Sequence, residues 1–431
     1  MMPANRQMHL AVFWLGTGNH SAGWRMDGAS DSNCDWDIVE RGAAIAERGK
    51  FDLFFISDSL APDLADHPSF VSRFEPTTLV GALTRSTTRI GLGATVSTSF
   101  SDPFTVARTF QSLQHMSRGR VAWNVVTSTS PRAALNFSRD SHKSHDERYE
   151  IANEFVDVVR GLWATWQPGA VVKDRATGVY VDPAKVRTLD HKGRHFQVRG
   201  PLSIERPRWG DPLIIQAGGS VPGQELSART ADIVFSVVSG DPVAAKSAYD
   251  ALKSRLPKHG RKPSDLALLP GVMPIIGGSD AEAKAKLDRL QSFLSPSGAL
   301  TLVSNRIGHD LSAFDLDGPI PELPDTERSQ TFSRTLLDKA RREGMTLRDL
   351  YNLTAAARGH WVVCGTPRRI ADTLEEWFRA GRCDGFMILP PYFPGAFDDF
   401  VDQVVPELQR RGLFRREYMG STLREHLHGG G

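Results

Sequence analysis

The sequence predicts an α/β protein built on a parallel sheet, and three observations lead there. Eight short, almost continuously apolar runs recur along the chain. Amphipathic segments of helical period alternate with them. No internal repeat with a period of about 20–50 residues competes with that pattern. Strands apolar on both faces are covered by helices on both sides, as in parallel sheets. The alternation fits a (β/α)8 barrel and equally a doubly wound open sheet. The 431 residues suffice for one barrel with insertions or for two to three smaller domains.

The elements read in order. Met8–Leu15 is the first strand. Asp37–Gly49 is a helix with Ile38, Ile45 and its alanines on one side and Gly49 as its stop. Phe51–Ser57 is the second strand, followed by a short helix at Thr77–Thr84. Arg89–Thr95 is the third strand, and Pro103 opens the helix Val106–Met116. Arg120–Thr127 is the fourth strand and Glu147–Trp163 a long helix. Gln167–Gly210, rich in Gly, Pro and charge, reads as an insertion. The alternation resumes with strand Pro212–Gln216, helix Gln224–Thr230, strand Asp232–Val238 and helix Pro242–Leu256. Strand Leu266–Ile276 and helix Asp280–Leu294 follow. An irregular stretch, Ser295–Asp325, leads to helices Thr326–Glu343 and Thr346–Ala357. Helix Thr366–Ala380, strand Asp384–Leu389 and helix Asp398–Gly412 close the pattern. The reading is one domain over 1–419 with insertions near 167–210 and 295–357. A tail at 420–431, ending in three glycines, is expected to fray.

Composition removes several function classes. Lys plus Arg total 52 against 50 Asp plus Glu, a net charge of +2, so neither nucleic acid nor an anionic membrane is expected as partner. Met8–Leu15 is too short for a membrane span and no cleavage site follows it. Cys34, Cys364 and Cys383 are odd in number and far apart. They suit a reducing cytoplasm rather than a disulfide framework or a cysteine zinc site.

Gly16-Thr17-Gly18-Asn19-His20-Ser21 is an incomplete dinucleotide fingerprint, with Ser in the last glycine position and no helix after it. No Walker A lysine and no G-x-S-x-G elbow is present. His142 with His145, and His191 with His195, have helical spacing but lack an H-E-x-x-H arrangement, so no metal is expected. Asp58, Thr95, Asn124 and Ser220 each sit at or near the C-terminal end of a strand. Together they make a polar ring on one rim, where α/β barrels place their chemistry. Gln216-Ala217-Gly218-Gly219-Ser220 joins a strand to a helix N-terminus. Backbone N–H groups there can approach a phosphate closely.

Several segments, in order over nearly the whole chain, carry a family resemblance. They are Gly18-Asn19-His20 with Trp24-Arg25, Ala46–Asp52, Phe74-Glu75-Pro76, Arg89–Phe100, Gly119–Thr127, His145–Tyr149, Gln216–Ser220 and Gly365–Leu389. With them the chain resembles the flavin-dependent monooxygenases of the bacterial luciferase-like superfamily, in the nitrilotriacetate, dibenzothiophene-sulfone and pristinamycin monooxygenase group. The resemblance implies a (β/α)8 TIM barrel with insertions at the C-terminal rim. It implies a cytoplasmic two-component system and a homo-oligomer, dimer or tetramer. A separate flavin reductase supplies reduced FMN, which with dioxygen oxygenates a small organic substrate. It implies that Asp58 and Thr95 touch the flavin ring, and that His145, Tyr149, Ala217, Gly218 and Ser220 hold the phosphate or ribityl end. Asn124 lies near the reacting edge and holds dioxygen with Thr95, while His20 faces the substrate. Asn305-Arg306-Ile307-Gly308 stands where several relatives have Ser-His-Thr-Gly, which makes Arg306 a candidate for an anionic or carbonyl-rich substrate. The same fold also serves flavin-dependent lyases, deazaflavin-dependent dehydrogenases and non-catalytic flavin-binding proteins.

Overall fold

In the first strand, Ala11 and Phe13 point to one apolar cluster, and Leu10, Val12 and Trp14 to another. This is the two-residue period of a strand buried on both faces. The computed structural model describes residues 6–64, 67–238, 240–323 and 330–429. The side chains at 296, 297, 299, 302, 305, 306 and 330–335 lie outside the description. The strands are β1 (His9–Trp14), β2 (Leu53–Ile56), β3 (Gly91–Ser97), β4 (Val121–Val126), a two-stranded hairpin β5 (His191–Lys192) and β6 (Gln197–Val198), then β7 (Leu213–Gln216), β8 (Ile233–Ser236), β9 (Ala267–Ile276), β10 (Trp361–Gly365) and β11 (Gly385–Ile388).

Parallel pairing runs β11–β1–β2–β3–β4–β7–β8–β9, and β9 returns to β11. The ring closes, so the eight strands form a barrel and not an open sheet. β10 is an additional strand. It pairs with the distal half of β9, Trp361 opposite Val272 to Gly365 opposite Ile276. Its residues had no place in the sequence reading, because a half-exposed run bounded by Gly359 and Gly365 resembles a loop.

Side chains facing the barrel axis include Phe13, Phe55, Ile215, Phe235, Leu269 and Met387. The outward faces pack against the helices in the larger cluster. Caps set the helix starts: Asp102 accepts from the N–H groups of Phe104 and Thr105 ahead of helix Pro103–Ser117. Glu75 does the same for Pro76–Ser86. Helix Trp36–Arg48 ends at Gly49, but the left-handed residue there is Lys50 (φ 60°). Gly49 instead makes room, since a Cβ would lie 2.9 Å from Val401.

Two stretches differ from the sequence reading, and a third is described in part. Ser295–Asp325 is not wholly irregular: Pro296–Ile307 is a helix. Proline at its first turn and Gly308 after its end (φ 84°) bracket it. Val303, Ile307, Leu311, Leu336, Leu350 and Tyr351 give this insertion an apolar cluster of its own. The helix expected at Thr326–Glu343 is described over Gln330–Arg342; positions 326–329 lie outside the described residues. The tail expected to fray forms a capped helix, Leu423–His428, with Leu423 and Leu427 buried. Leu423 fits the space over Gly91, where a Cβ would lie 2.6 Å from it. The helix thereby closes the N-terminal mouth of the barrel.

Candidate active site

At the opposite mouth, the C-terminal ends of β1–β4, β7 and β8 surround a cavity of about 410 Å³. Its floor is aromatic. Phe13 lies 5.1 Å from Phe55 and 5.3 Å from Phe235 between ring centroids. Its walls carry hydroxyls and amides, among them Ser57, Asp58, Thr95, Ser97, Asn124, Thr127, Ser128, Tyr149 and Gln216, with Phe70 on the β2 side.

Asn124 is the best-defined polar group. β3 and β4 pair Thr95 directly opposite Asn124. The Asn124 Nδ2 donates to Thr95 Oγ1 at 2.9 Å, and Thr95 Oγ1 donates to the Ile56 carbonyl at 2.8 Å. The threonine hydroxyl is thus spent on fixing the asparagine. Asn124 Oδ1 is buried without a hydrogen-bond partner in a residue that lines the cavity. A buried unpaired carbonyl costs about 1–3 kcal/mol, which a ligand N–H or O–H recovers. Gln216 is fixed similarly, its Nε2 donating to the Val125 carbonyl at 2.7 Å.

The β7 end is a glycine cradle. A Cβ on Gly218 or on Gly223 would each lie 2.8 Å from the Tyr149 hydroxyl. Only glycines let that phenol close over the start of helix Val221–Thr230. Ala217 and Gly218 line the cavity. Ser220 does not line it; its Oγ accepts from the Gly223 N–H at 3.3 Å and caps the helix. His145 also lies off the wall. It packs 4.9 Å from the Tyr149 ring and its Nδ1 faces the Asp146 carboxylate at 3.0 Å.

Asp58 lies on the wall at the end of β2. Burial pushes its carboxyl pKa up, against the Ser59 N–H that it accepts at 2.8 Å. His20 is fully buried but does not line the cavity. Its Nδ1 accepts from the Ala22 N–H at 3.0 Å, and burial holds the ring down at about 3, so it is neutral. Arg306 falls within helix Pro296–Ile307, and its side chain lies outside the described residues. The paired histidines share no helix face. His191 is in β5 and meets Glu154 at 3.0 Å, and His142 precedes the helix that His145 begins.

The sequence reading missed the four phenylalanines of the cavity. For Phe13, Phe55 and Phe235, in runs apolar on both faces, nothing marks which residues turn inward until pairing fixes the parity; Phe70 comes from the short helix Pro68–Val71, outside any strand. It also missed Ser57, Ser97 and Thr127–Ser130, although their position at strand ends was a usable signal.

The family model described as luciferase-like monooxygenase matches residues 15–383. The chain is 45% identical over 431 residues to N-acetyl-S-(2-succino)cysteine monooxygenase of Bacillus subtilis (strain 168), covering 99% of this chain and 98% of that protein. It is 42% identical over 443 residues to nitrilotriacetate monooxygenase component A of Aminobacter aminovorans, covering 99% and 97%. Its fold matches the crystal structure of a riboflavin lyase with modified FMN and riboflavin at a TM-score of 0.88 and 30% identity, covering 99% of this chain and 96% of that one.

Proposed function

The chain belongs to the luciferase-like monooxygenase family, and from that premise we propose that it is the oxygenating half of a two-component system. It takes reduced FMN from a separate flavin reductase and uses dioxygen to oxygenate a small organic substrate. Bound FMN supplies the activation of dioxygen; the chain supplies the site.

The observation that carries the reading is the pairing of an orphaned acceptor with a glycine cradle across one cavity. Asn124 Oδ1, buried without a partner, would accept a donor of the bound cofactor. Tyr149, with the Ala217–Gly218 backbone and the helix N-terminus that Ser220 caps, holds the phosphate. Phe13, Phe55 and Phe235 pack the apolar part of the ring system and keep water from it. Asp58, on the same wall, would meet a polar group of the bound cofactor, and Thr95 acts by positioning Asn124 rather than by touching dioxygen. His145 supports the Tyr149 ring, and neutral His20 shapes the loop behind the substrate space.

The rest of the reading is a cytoplasmic homo-oligomer, dimer or tetramer. No helix among the described residues is long and apolar enough to cross a membrane. Anaerobic titration tests the cofactor assignment. Reduced FMN should bind wild type at one site per chain and bind Tyr149→Phe roughly tenfold to a hundredfold more weakly, the loss of one hydrogen bond to a charged group. Equal affinity for both would remove Tyr149 from the site, and no binding to wild type would end the flavin reading.

A further inference from the structure

A second cavity, of about 510 Å³, lies at the N-terminal mouth of the barrel beside the capped helix Leu423–His428. It shares no lining residue with the cavity at the other mouth. His9, Ala267 and Asp384, at or just before the first positions of β1, β9 and β11, line it together with Arg415, His426 and His428.

Two of these side chains each leave one polar atom unused. Arg415 and His426 are only 7% and 5% exposed. Arg415 Nη2 pairs with the Asp52 carboxylate and donates to the His426 carbonyl at 3.0 Å, while its Nη1 is buried without a partner. His426 Nε2 lies 3.3 Å from the Gly420 carbonyl. A carbonyl only accepts, so the proton of the neutral ring sits on Nε2. Burial holds the ring below its ordinary pKa and so favours that neutral form. Nδ1 is left as an acceptor, and it too is buried without a partner. One unused donor and one unused acceptor therefore belong to two residues that touch each other. The acids of the wall are already engaged. Asp384 meets Lys253 at 2.8 Å, the Tyr249 hydroxyl at 3.0 Å and Arg6. Glu425 accepts from the Ser421 and Thr422 N–H groups at 2.8 and 2.9 Å.

We propose that this cavity is a second binding site, which takes a phosphate group in its proton-carrying form, free or as the ester of a small organic molecule. Arg415 Nη1 donates to a phosphoryl oxygen, and the P–OH group donates to His426 Nδ1. Sulfate is acceptor-only and would set its oxygens against the Nδ1 lone pair, unless the buried ring took up a proton against its desolvation. Leu266, Ala267, Met419 and Leu427 give the cavity apolar surface for the organic part of an ester. An occupied site ties the terminal helix to the barrel through His426.

Calorimetric titration of the full chain near neutral pH tests this with inorganic phosphate, sulfate and glycerol 3-phosphate. Wild type should prefer phosphate to sulfate by at least about tenfold, the worth of one hydrogen bond to a charged group. His426→Phe keeps the ring that packs 4.7 Å from Tyr418 and removes Nδ1, and it should erase the preference. Arg415→Lys keeps a cation beside Asp52 but drops Nη1. It should weaken phosphate and sulfate alike, by about tenfold or more, and leave the preference standing. Tyr149→Phe changes the glycine cradle at the other mouth and should also leave it standing. Tighter binding of glycerol 3-phosphate than of phosphate identifies an ester as the ligand, and the reverse identifies the free ion. No preference in wild type, or an unchanged preference in His426→Phe, overturns the proposal. Loss of the preference in Tyr149→Phe overturns it as well, because the phosphate would then sit in the other cavity. If His426→Phe does not fold, hydrogen exchange of wild type decides. Phosphate and not sulfate should slow the amides of Leu423–His428, and an equal effect of both ions, or none, overturns the proposal.

Discussion

Asn124 gains its directed carbonyl from a relay two bonds long. The Ile56 carbonyl takes the Thr95 proton, and Thr95 Oγ1 takes an Asn124 N–H. Removing either member should therefore act on the same ligand contact. Asn124→Ala should weaken FMN binding by about threefold to tenfold, the value of one neutral hydrogen bond. Thr95→Val, which frees the amide to rotate, should move it in the same direction. Flavin fluorescence titration measures both. If Thr95→Val binds like wild type while Asn124→Ala does not, the relay does not hold the asparagine. Ser220→Ala should show mainly in stability, at about 0.5–2 kcal/mol for a lost N-cap, read from the denaturation midpoint. Polar residues at strand ends were legible in the sequence because an Asp, Thr or Asn closing an apolar run has few other reasons to be there. Phe70 was not legible, because it reaches the cavity from the short helix Pro68–Val71 and not from a strand end.

The terminal helix and the buried charges beside it govern the other end of the barrel. The Asp52 carboxylate is fully buried, accepts the Leu10 N–H at 2.8 Å, and pairs with Arg415 and His9. Burial alone would raise its pKa, but the Arg415 guanidinium and His9 hold it at about 2, below its ordinary 3.8. A depressed carboxylate stabilises the fold above its unfolded pKa, so this contribution should be complete above about pH 5 and be lost as pH falls toward 2. Asp52→Asn should cost about 3–5 kcal/mol near neutral pH, since Arg415 is left buried beside a neutral amide. It should also flatten the acid limb of a stability-against-pH profile from urea unfolding. An unchanged acid limb would show that other carboxylates dominate. Leu423→Ala should cost about 2–5 kcal/mol by opening a cavity over Gly91. Thermal denaturation checks it, and a change under 1 kcal/mol would mean the helix rests on the barrel without closing it. The sequence hid this helix. Three terminal glycines suggested fraying, while the informative signal was Thr422 followed three residues later by Glu425, a capping box. The helix Pro296–Ile307 was hidden in the same way, by Ser, Pro and Gly at its start.

At the scale of the whole molecule the two mouths divide the work, stability at one and chemistry at the other, as barrels do. The order of apolar runs was enough to predict a parallel sheet. Closure was not legible from periodicity, because a barrel and an open sheet differ only in whether β9 meets β11. No nicotinamide-binding fingerprint appears in the chain, so the pure protein with NADH and FMN should oxidise no NADH until a flavin reductase is added. Rapid NADH oxidation by the protein alone would contradict the two-component reading. The central claim is oxygen transfer, and one measurement addresses it most directly. The protein is supplied with a flavin reductase, NADH, FMN and isotopically labelled dioxygen (¹⁸O₂), together with a panel of small organic compounds from which its substrate is identified by consumption, and the products are weighed by mass spectrometry. The account predicts consumption of the substrate and one labelled oxygen atom in an organic product or in the fragment it releases. Substrate turnover with the product oxygen drawn from water, or turnover that continues without dioxygen, would contradict it.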